Sequence, residues 1–465
     1  MGLLEQIQTA GVVGCGGAGF PTHVKLGCKV EYLIVNGAEC EPLLRTDRWL
    51  MKHRAKEIVA AAEIVAEAVG ARKKYIALKE NYTEEILSLE AAISELASTV
   101  ELFKMRNFYP AGDEQIMVCD VTGRTVPPSG IPLDVDAVVS NIATMYCIYE
   151  VGEGKPFTHK YLTVTGEVSN PAIAYAPLGT SIEECIAAAG GAVSENYRVL
   201  LGGPLMGKLY DTEQIKAQVV TKTTSGIVVI PAQSPLVFQR ETPIRTVLRQ
   251  AKTACIQCSY CTEMCPRYLT GHPLKPHKIM RKLAYAADLC EVLDDLDVRY
   301  ALICSECGIC ETYACPMGLL PRQVNIYVKG ELAKAGIRYQ KPLEPLQQRE
   351  ERAFRRIPSK RIARRLGVEK YYDYSIECLR ELNVRQVRIP MKQHIGAPCI
   401  PVVNVGDQVA CGQLIGACPE KGLGANIHAS IDGIVACVGD QVVIERRQGD
   451  GCNRFSGAEQ HCQGH

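Results

Sequence analysis

A chain of 465 residues exceeds what one hydrophobic core usually supports, so about three domains are expected. With 52 basic and 51 acidic residues, the net charge of +1 argues against a nucleic-acid footprint or a polybasic membrane contact. No run approaches about 18 consecutive apolar residues, so no transmembrane segment is expected, and MGLLEQIQTAGVVGC is no secretory leader, which places the 22 cysteines in a reducing, cytoplasmic, anaerobic setting.

Residues 14–25, GCGGAGFPTHVK, open the informative part of the chain. Gly14, Gly16 and Gly19 spell G-x-G-x-x-G, and Glu39 follows twenty positions later, as in a dinucleotide-binding fingerprint. That fingerprint must start a long helix, and Pro21 and Gly27 leave no room for one. What survives is the physics of close glycines, Gly17 included, whose N–H groups can approach an anion or a flat ring. Lys25 adds charge for a phosphate, so the loop is expected to bind a phosphorylated ligand.

Residues 1–150 alternate short β-rich runs (YLIVNGA, KKYIALKE, AVVSNIAT) with a helical stretch at 54–69, where Ile58, Ala62, Ile64, Val65 and Val69 recur near helical period. This predicts an α/β domain. Residues 155–215 read as a β-grasp module, with two strands joined at Asn170-Pro171 and then a helix capped by Thr180 or Ser181, with Glu183 and Glu184 in its first turn. Residues 231–242 read as a linker, 245–330 as a cysteine-rich domain with a helical stretch at 275–296, and 331–384 as a solvated helical connector. Residues 385–446 repeat short strands broken by Gly-Asp turns, with GDQV at Gly406 and again at Gly439, which predicts an all-β barrel-sandwich of two similar halves. A carrier domain of that shape needs a modifiable lysine at a hairpin tip, and Lys421 lies outside the GLGAN turn, so a scaffold is expected. The tail, 447–465, reads as disordered.

Two cysteine runs carry the chemistry: Cys255, Cys258, Cys261, Cys265-Pro and Cys304, Cys307, Cys310, Cys315-Pro. Each gives three ligands to one [4Fe–4S] cluster and one to its neighbour, so Cys255, Cys258, Cys261 and Cys315 form one set and Cys304, Cys307, Cys310 and Cys265 the other. Structural zinc is the competing reading, but zinc motifs rarely carry three evenly spaced cysteines followed by Cys-Pro. The second run has four residues before its last cysteine where the first has three, which leaves the partner of Cys315 open to doubt. The remaining cysteines read as small buried hydrophobes.

In register along the chain, GCGGAGFPTHVK, NGAECEP (36–42), YPAGDE (109–114) and VVSNIAT (138–144) resemble the FMN- and NADH-binding subunit of respiratory complex I. The resemblance implies FMN held by Gly14, Gly16, Gly17, Lys25, Asn36, Glu39, Tyr109, Asp113, Asn141 and Thr144, with Gly19 closing the loop. It also implies that Phe20, Glu41 and Glu114 face NADH. Ser140 stands where that subunit usually has asparagine and Asp113 where it has glutamate, and both keep a polar group.

The wider chain resembles the Rnf C-subunit family, which shares the flavin-type domain, the soluble-ligand-binding β-grasp (SLBB), the two clusters and the QHIGAP barrel-sandwich. In that family QHIGAP precedes the glycine loop, whereas here it comes last, at residues 393–398. That order, with GHPLKPHK (271–278), ACPMGLLPRQVN (314–325) and GANIHASIDGIV (424–435), is similar to the cobalamin reductase family of propanediol-utilisation microcompartments. The resemblance implies electron flow from NADH through FMN and two [4Fe–4S] clusters to cobalamin, taking cob(III)alamin towards cob(II) or cob(I) for a B12-dependent diol dehydratase. It implies partners among that dehydratase, an adenosyltransferase and a microcompartment shell. The competing enzyme reading delivers the electrons to a redox protein, as in Rnf or amino-acid reductase systems, and a relay without NADH binding is the non-enzyme reading. His272 and His277 are the paired histidines near the cysteine runs, read either as cobalt ligands or as packing residues.

Overall fold

The computed structural model describes residues 2–339, 346–419 and 422–446, so Lys421 and the tail 447–465 lie outside the described residues. The first domain is built on β1 (Tyr32–Gly37), β2 (Lys73–Lys79), β3 (Glu101–Met105) and β4 (Ala137–Asn141), all parallel and in the order β3-β2-β1-β4. β1 is buried almost throughout because helices cover both faces of such a sheet. The helix over Ala55–Val69 buries Ile58, Ala62, Val65 and Val69 and stops at Gly70, which adopts φ 68° as its left-handed cap. The strand order reverses between β1 and β4, and their last residues, Asn36 and Asn141, are paired neighbours at the carboxyl ends. That is where an open parallel sheet leaves a crevice for ligand.

The β-grasp sheet adds β5 (His159–Gly166), β6 (Ala172–Pro177), β7 (Tyr197–Leu201), β8 (Lys208–Tyr210), β9 (Gly226–Pro231) and β10 (Leu379–Glu381), in the order β10-β6-β5-β9-β7-β8. Ser181 caps the helix over Ile182–Ala188 and shares a reciprocal bond with Glu184. The module runs past residue 215, because β9 pairs parallel with β5 and antiparallel with β7 in the middle of the sheet. Residues 231–242 are more than a linker: Pro235–Glu241 is helical and buries Leu236 and Val237.

The cysteine-rich domain packs helices Ile244–Ala254, Pro276–Tyr285 and Pro321–Lys334 around Val247, Ile279, Leu283, Val324 and Val328. The stretch expected to be helical over 275–296 stops at Tyr285, because Asp288 and Asp295 each cap a new short turn instead of continuing the old one. The segment read as a solvated connector is partly core. Ile357, Ile362, Ala363, Leu366 and Tyr371 are buried against Leu43, Leu236 and Met264, and β10 then joins the β-grasp sheet. Its arginines face outward from the same helix whose Ile362 and Ala363 face in, so the charge concealed the apolar side.

The last module stacks the sheet of β11 (Gln386–Pro390), β13 (Gln408–Val409), β16 (Gly433–Val438) and β17 (Gln441–Glu445) on that of β12 (Ile400–Pro401), β14 (Leu414–Ala417) and β15 (Ile427–His428). Each GDQV forms the turn that opens a strand, β13 and β17 respectively. Among the described residues no helix is long and apolar enough to cross a membrane.

Candidate functional site

The glycine loop leaves the helix over Leu3–Thr9 and is closed by a bond from Gly14 N–H to the Phe20 carbonyl at 2.9 Å. Only a four-residue helix, Thr22–Lys25, follows it. Gly19 sits at φ 73°, and a side chain there would strike Thr223 and the backbone of Gln393 and His394. The loop is therefore pressed between the β-grasp and the barrel-sandwich. Behind it, Thr144 Oγ1 accepts from Cys15 N–H at 3.0 Å. Among the described residues the N–H groups of Gly16, Gly17 and Ala18 take no part in the backbone bonds that fix the loop, and a Cβ on Gly17 would meet open space.

That open space is a cavity of about 480 Å³, in the range of a cofactor pocket. Of the expected flavin residues, Gly16, Gly17, Asn36, Glu39, Tyr109, Asp113 and Asn141 line it, and so does Glu41, expected to face NADH. Gly14 and Gly19 shape the loop without lining the cavity, and Ser140 and Thr144 are buried behind it. Lys25 and Glu114 lie off its wall, bonded to each other at 2.6 Å, while Phe20 is 38% exposed on the loop's outer side. The Glu41 carboxylate accepts from the N–H groups of Leu205 and Met206 at 2.9 and 2.7 Å, so it braces a turn of the β-grasp.

Sequence reasoning missed several wall residues: Cys15, Cys40, Asp47, Lys160, Gly203, Met206 and Ser305. Asp47 Oδ2 accepts from Asn141 Nδ2 at 2.6 Å, and Asp47 N–H donates to Glu39 Oε2 at 2.7 Å. Burial raises the Glu39 carboxyl, and burial together with Glu39 raises Asp47 well above the usual carboxylate range. Lys160 Nζ is buried and donates to the Lys222 carbonyl at 2.7 Å. Two carboxyls pushed toward neutrality, a buried ammonium and uncommitted loop N–H groups fit an anion-bearing, planar guest such as FMN.

The cysteines gather as the spacing expects. Cys255, Cys258, Cys261 and Cys315 line one small cavity, and Cys265, Cys304, Cys307 and Cys310 line another. Both CxxCxxC loops place left-handed residues at the same two positions, Gln257 (58°) and Ser259 (63°) in the first, Glu306 (61°) and Gly308 (81°) in the second. Alternation of that kind turns backbone N–H groups inward. The extra residue before Cys315 is absorbed in a π-helical turn over Cys310–Ala314, with Cys315 N–H donating to the Cys310 carbonyl at 3.1 Å. Cys304 Sγ accepts from Glu306 N–H at 3.4 Å and Cys315 Sγ from Leu319 N–H at 3.4 Å, bonds that suit thiolate ligands. Among the described residues no three donors converge on a single-ion site, whereas four thiols surround each cavity, as a cluster larger than one ion requires.

The large cavity and the second cysteine cavity share a wall. Ser305 and Cys307 line both the large cavity and the second cysteine cavity. Tyr109 Oη donates to the Cys307 carbonyl at 2.8 Å, and Arg267, two residues after Cys265, forks onto Asp113 with both bonds at 2.8 Å. The first cysteine set lies at the outer end, with Cys258 exposed and Ile256, Tyr260 and Met317 exposed around it. His277 lines that cavity and bonds Thr262 Oγ1 through Nδ1 at 2.7 Å, while His272 is buried with Nε2 on the Val126 carbonyl. The two histidines therefore do not act as a pair.

Family models match the chain in four blocks: the Nuo51 FMN-binding domain over residues 7–150, the SLBB domain over 161–209, a 4Fe-4S dicluster domain over 254–320 and the RnfC barrel sandwich hybrid domain over 375–452. The cobalamin reductase PduS of Salmonella typhimurium is 40% identical over 440 residues, spanning 94% of this chain and 95% of that protein. PduS of Citrobacter freundii gives the same identity and coverage. A component of the Na(+)-translocating ferredoxin:NAD(+) oxidoreductase complex of Acetobacterium woodii is 35% identical over 271 residues, covering 57% of this chain and 58% of its own. An FMN-binding domain beside an iron–sulfur domain makes the protein an electron-transfer oxidoreductase, and the chain belongs to the PduS cobalamin reductase family.

Proposed function

We propose that this chain takes electrons from NADH and passes them, through FMN and two [4Fe–4S] clusters, to cobalamin, maintaining reduced corrinoid for a B12-dependent diol dehydratase. The observation that carries the reading is the wall shared by the flavin-sized cavity and the second cysteine cavity at Ser305 and Cys307. FMN, when bound, supplies the conversion between a hydride's two electrons and the single electrons that iron–sulfur clusters carry.

The residues of this chain do the positioning. Loop N–H groups at Gly16, Gly17 and Ala18, with Asn141, Asp47 and Lys160, are the groups that would hold FMN, and Phe20, exposed on the same loop, is the residue assigned to the dinucleotide. Asn36 Nδ2 donates to the Gly112 carbonyl at 2.9 Å and so fixes the loop that carries Asp113 against the cavity. The Asp113–Arg267 fork and the Tyr109–Cys307 bond hold the second cysteine set at one separation from the cavity, which an electron-transfer rate demands. Cys265, Cys304, Cys307 and Cys310 would hold the inner cluster, and Cys255, Cys258, Cys261 and Cys315 the outer one. The apolar rim of Ile256, Tyr260 and Met317 supports delivery at the outer end.

Anaerobic stopped-flow of the reconstituted protein tests this. NADH should bleach the flavin, and the cob(III)alamin spectrum should then change at a matching rate. Bleaching with no corrinoid change would transfer the reading to a protein acceptor. An absence of bleaching would remove NADH as the donor. For the clusters, Cys258→Ala should remove about half the iron, and retention of both electron paramagnetic resonance signals would refute the assignment.

A further inference from the structure

Behind the flavin-sized cavity, across Glu39, lies a second cavity of about 290 Å³ that the proposed electron path does not use. Its walls come from the loop after β1, the end of β2 and the strap over residues 372–375. Arg45, Arg48 and Lys79 all line it, with Tyr82, Ser359 and Tyr372 supplying polar edges.

The charges do not balance. Arg45 donates to the carbonyls of Pro42 (2.9 Å), Leu44 (2.7 Å) and Tyr372, all neutral acceptors. Lys79 is buried and its Nζ reaches Ser359 Oγ at 3.1 Å and the Glu39 carbonyl at 3.4 Å, again neutral groups. Arg48 gives Nε to Glu85 at 2.6 Å and stacks over Tyr82, and among the described residues nothing accepts from its terminal nitrogens. Of the carboxylates, Glu85 is paired with Arg48, Asp373 on the wall with Lys360 at 2.5 Å, and Glu39 on the wall accepts from Asp47 N–H and keeps its charge toward Arg45 and Lys79. Burial holds the Lys79 and Arg45 groups below their ordinary ranges although the Glu39 charge opposes the shift in both, and burial raises Glu39 itself. With Glu85 paired to Arg48, Arg45 and Lys79 face Glu39 as their nearby counter-charge, and the positive excess left in a roomy polar cavity is the kind of setting in which proteins bind oxyanions.

We infer that this cavity is a binding site for a phosphate-class oxyanion, either inorganic phosphate or the phosphoryl group of a small phosphomonoester. The Arg48 fork and the Lys79 ammonium are its principal donors, and Tyr82 and Ser359 frame it. Because Glu39 lines both cavities, an occupant here sits one side chain from the flavin-sized cavity.

The test is calorimetric titration of the FMN-loaded, cluster-reconstituted protein under anaerobic conditions, with sodium phosphate and separately with glycerol 3-phosphate, against sodium chloride at matched ionic strength. Saturable binding of one equivalent is expected with at least one phosphate probe and not with chloride. Tighter binding of the ester identifies an esterified guest, and tighter binding of the free anion identifies phosphate itself. Arg48→Met and Lys79→Met should each weaken binding at least tenfold while FMN content is retained. Absence of saturable binding to the wild type overturns the inference whether or not the variants fold. So does unchanged affinity in both variants, or binding that appears only when FMN is stripped, which would place the anion in the flavin cavity.

Discussion

His272 is buried, donates from Nε2 to the Val126 carbonyl at 2.9 Å, and leaves Nδ1 buried with no partner among the described residues. Burial, aided by the Arg267 charge, pushes its pKa down to about 4, against about 6.5 in an unfolded chain. Between those values the unfolded chain binds a proton that the folded chain refuses, so stability falls as pH falls. From pH 7 to pH 5 the loss through this one group is about 2 kcal/mol, and above pH 7 it vanishes. His272→Gln keeps a donor for Val126 and cannot titrate. Urea unfolding at the two pH values should show the variant losing about 2 kcal/mol less than the wild type on acidification. Equal losses would assign the acid sensitivity to other groups. A histidine that joins the cysteine-rich domain to the flavin domain explains why His272 takes no part beside His277, although in the sequence they look alike.

At the scale of elements, the two cysteine loops are the same device made from different residues. Gly308 occupies the position of Ser259, and its φ of 81° puts a Cβ 3.3 Å from Arg322 Nη1 and 3.4 Å from Leu205 Cδ2. A β-branched side chain there is strained by about 1–2 kcal/mol before any contact is counted. Gly308→Val should therefore lose the inner cluster, about half the iron, while the outer signal persists; Ser259→Gly should retain all of it. Full iron in Gly308→Val would show that the left-handed turn is dispensable. The same loops show what a sequence carries plainly: cysteine spacing fixes ligands because a cube needs thiols at set intervals, and the N-cap at Ser181 is equally local. Even the doubtful Cys315 is resolved only by a π-turn, which spacing alone does not reveal. What stayed hidden was non-local. β9 enters the β-grasp by pairing Thr163 with Gly226, more than sixty positions away, and no turn signal marks so distant a parallel partner. Likewise Lys160, Lys79 and Asp47 look like surface charges until tertiary packing closes over them.

For the whole molecule, Lys222 is the point at which the modules are fastened. It is fully buried, and its Nζ donates to the Gly11 carbonyl of the flavin domain at 2.7 Å and the Asn426 carbonyl of the barrel-sandwich at 2.6 Å. Its own N–H donates to Gln393 Oε1 at 3.0 Å, and its carbonyl accepts Lys160 Nζ from the β-grasp. Burial holds its pKa down to about 8, so the ammonium pays a desolvation cost that these carbonyls offset only in part. Lys222→Met fills the same space and leaves both carbonyls unmet, at about 2 kcal/mol in docking stability. Because Gly19 of the glycine loop packs on Gln393 and His394, undocking of the barrel-sandwich should also loosen the flavin cavity. Hydrogen exchange of Lys222→Met should rise across residues 391–446 and the glycine loop together, and FMN should dissociate faster, while iron content stays at the wild-type level. Faster exchange in the barrel-sandwich with the glycine loop unchanged would mean that the module is ornamental to the flavin site, and the permuted order of domains would then have no bearing on electron entry.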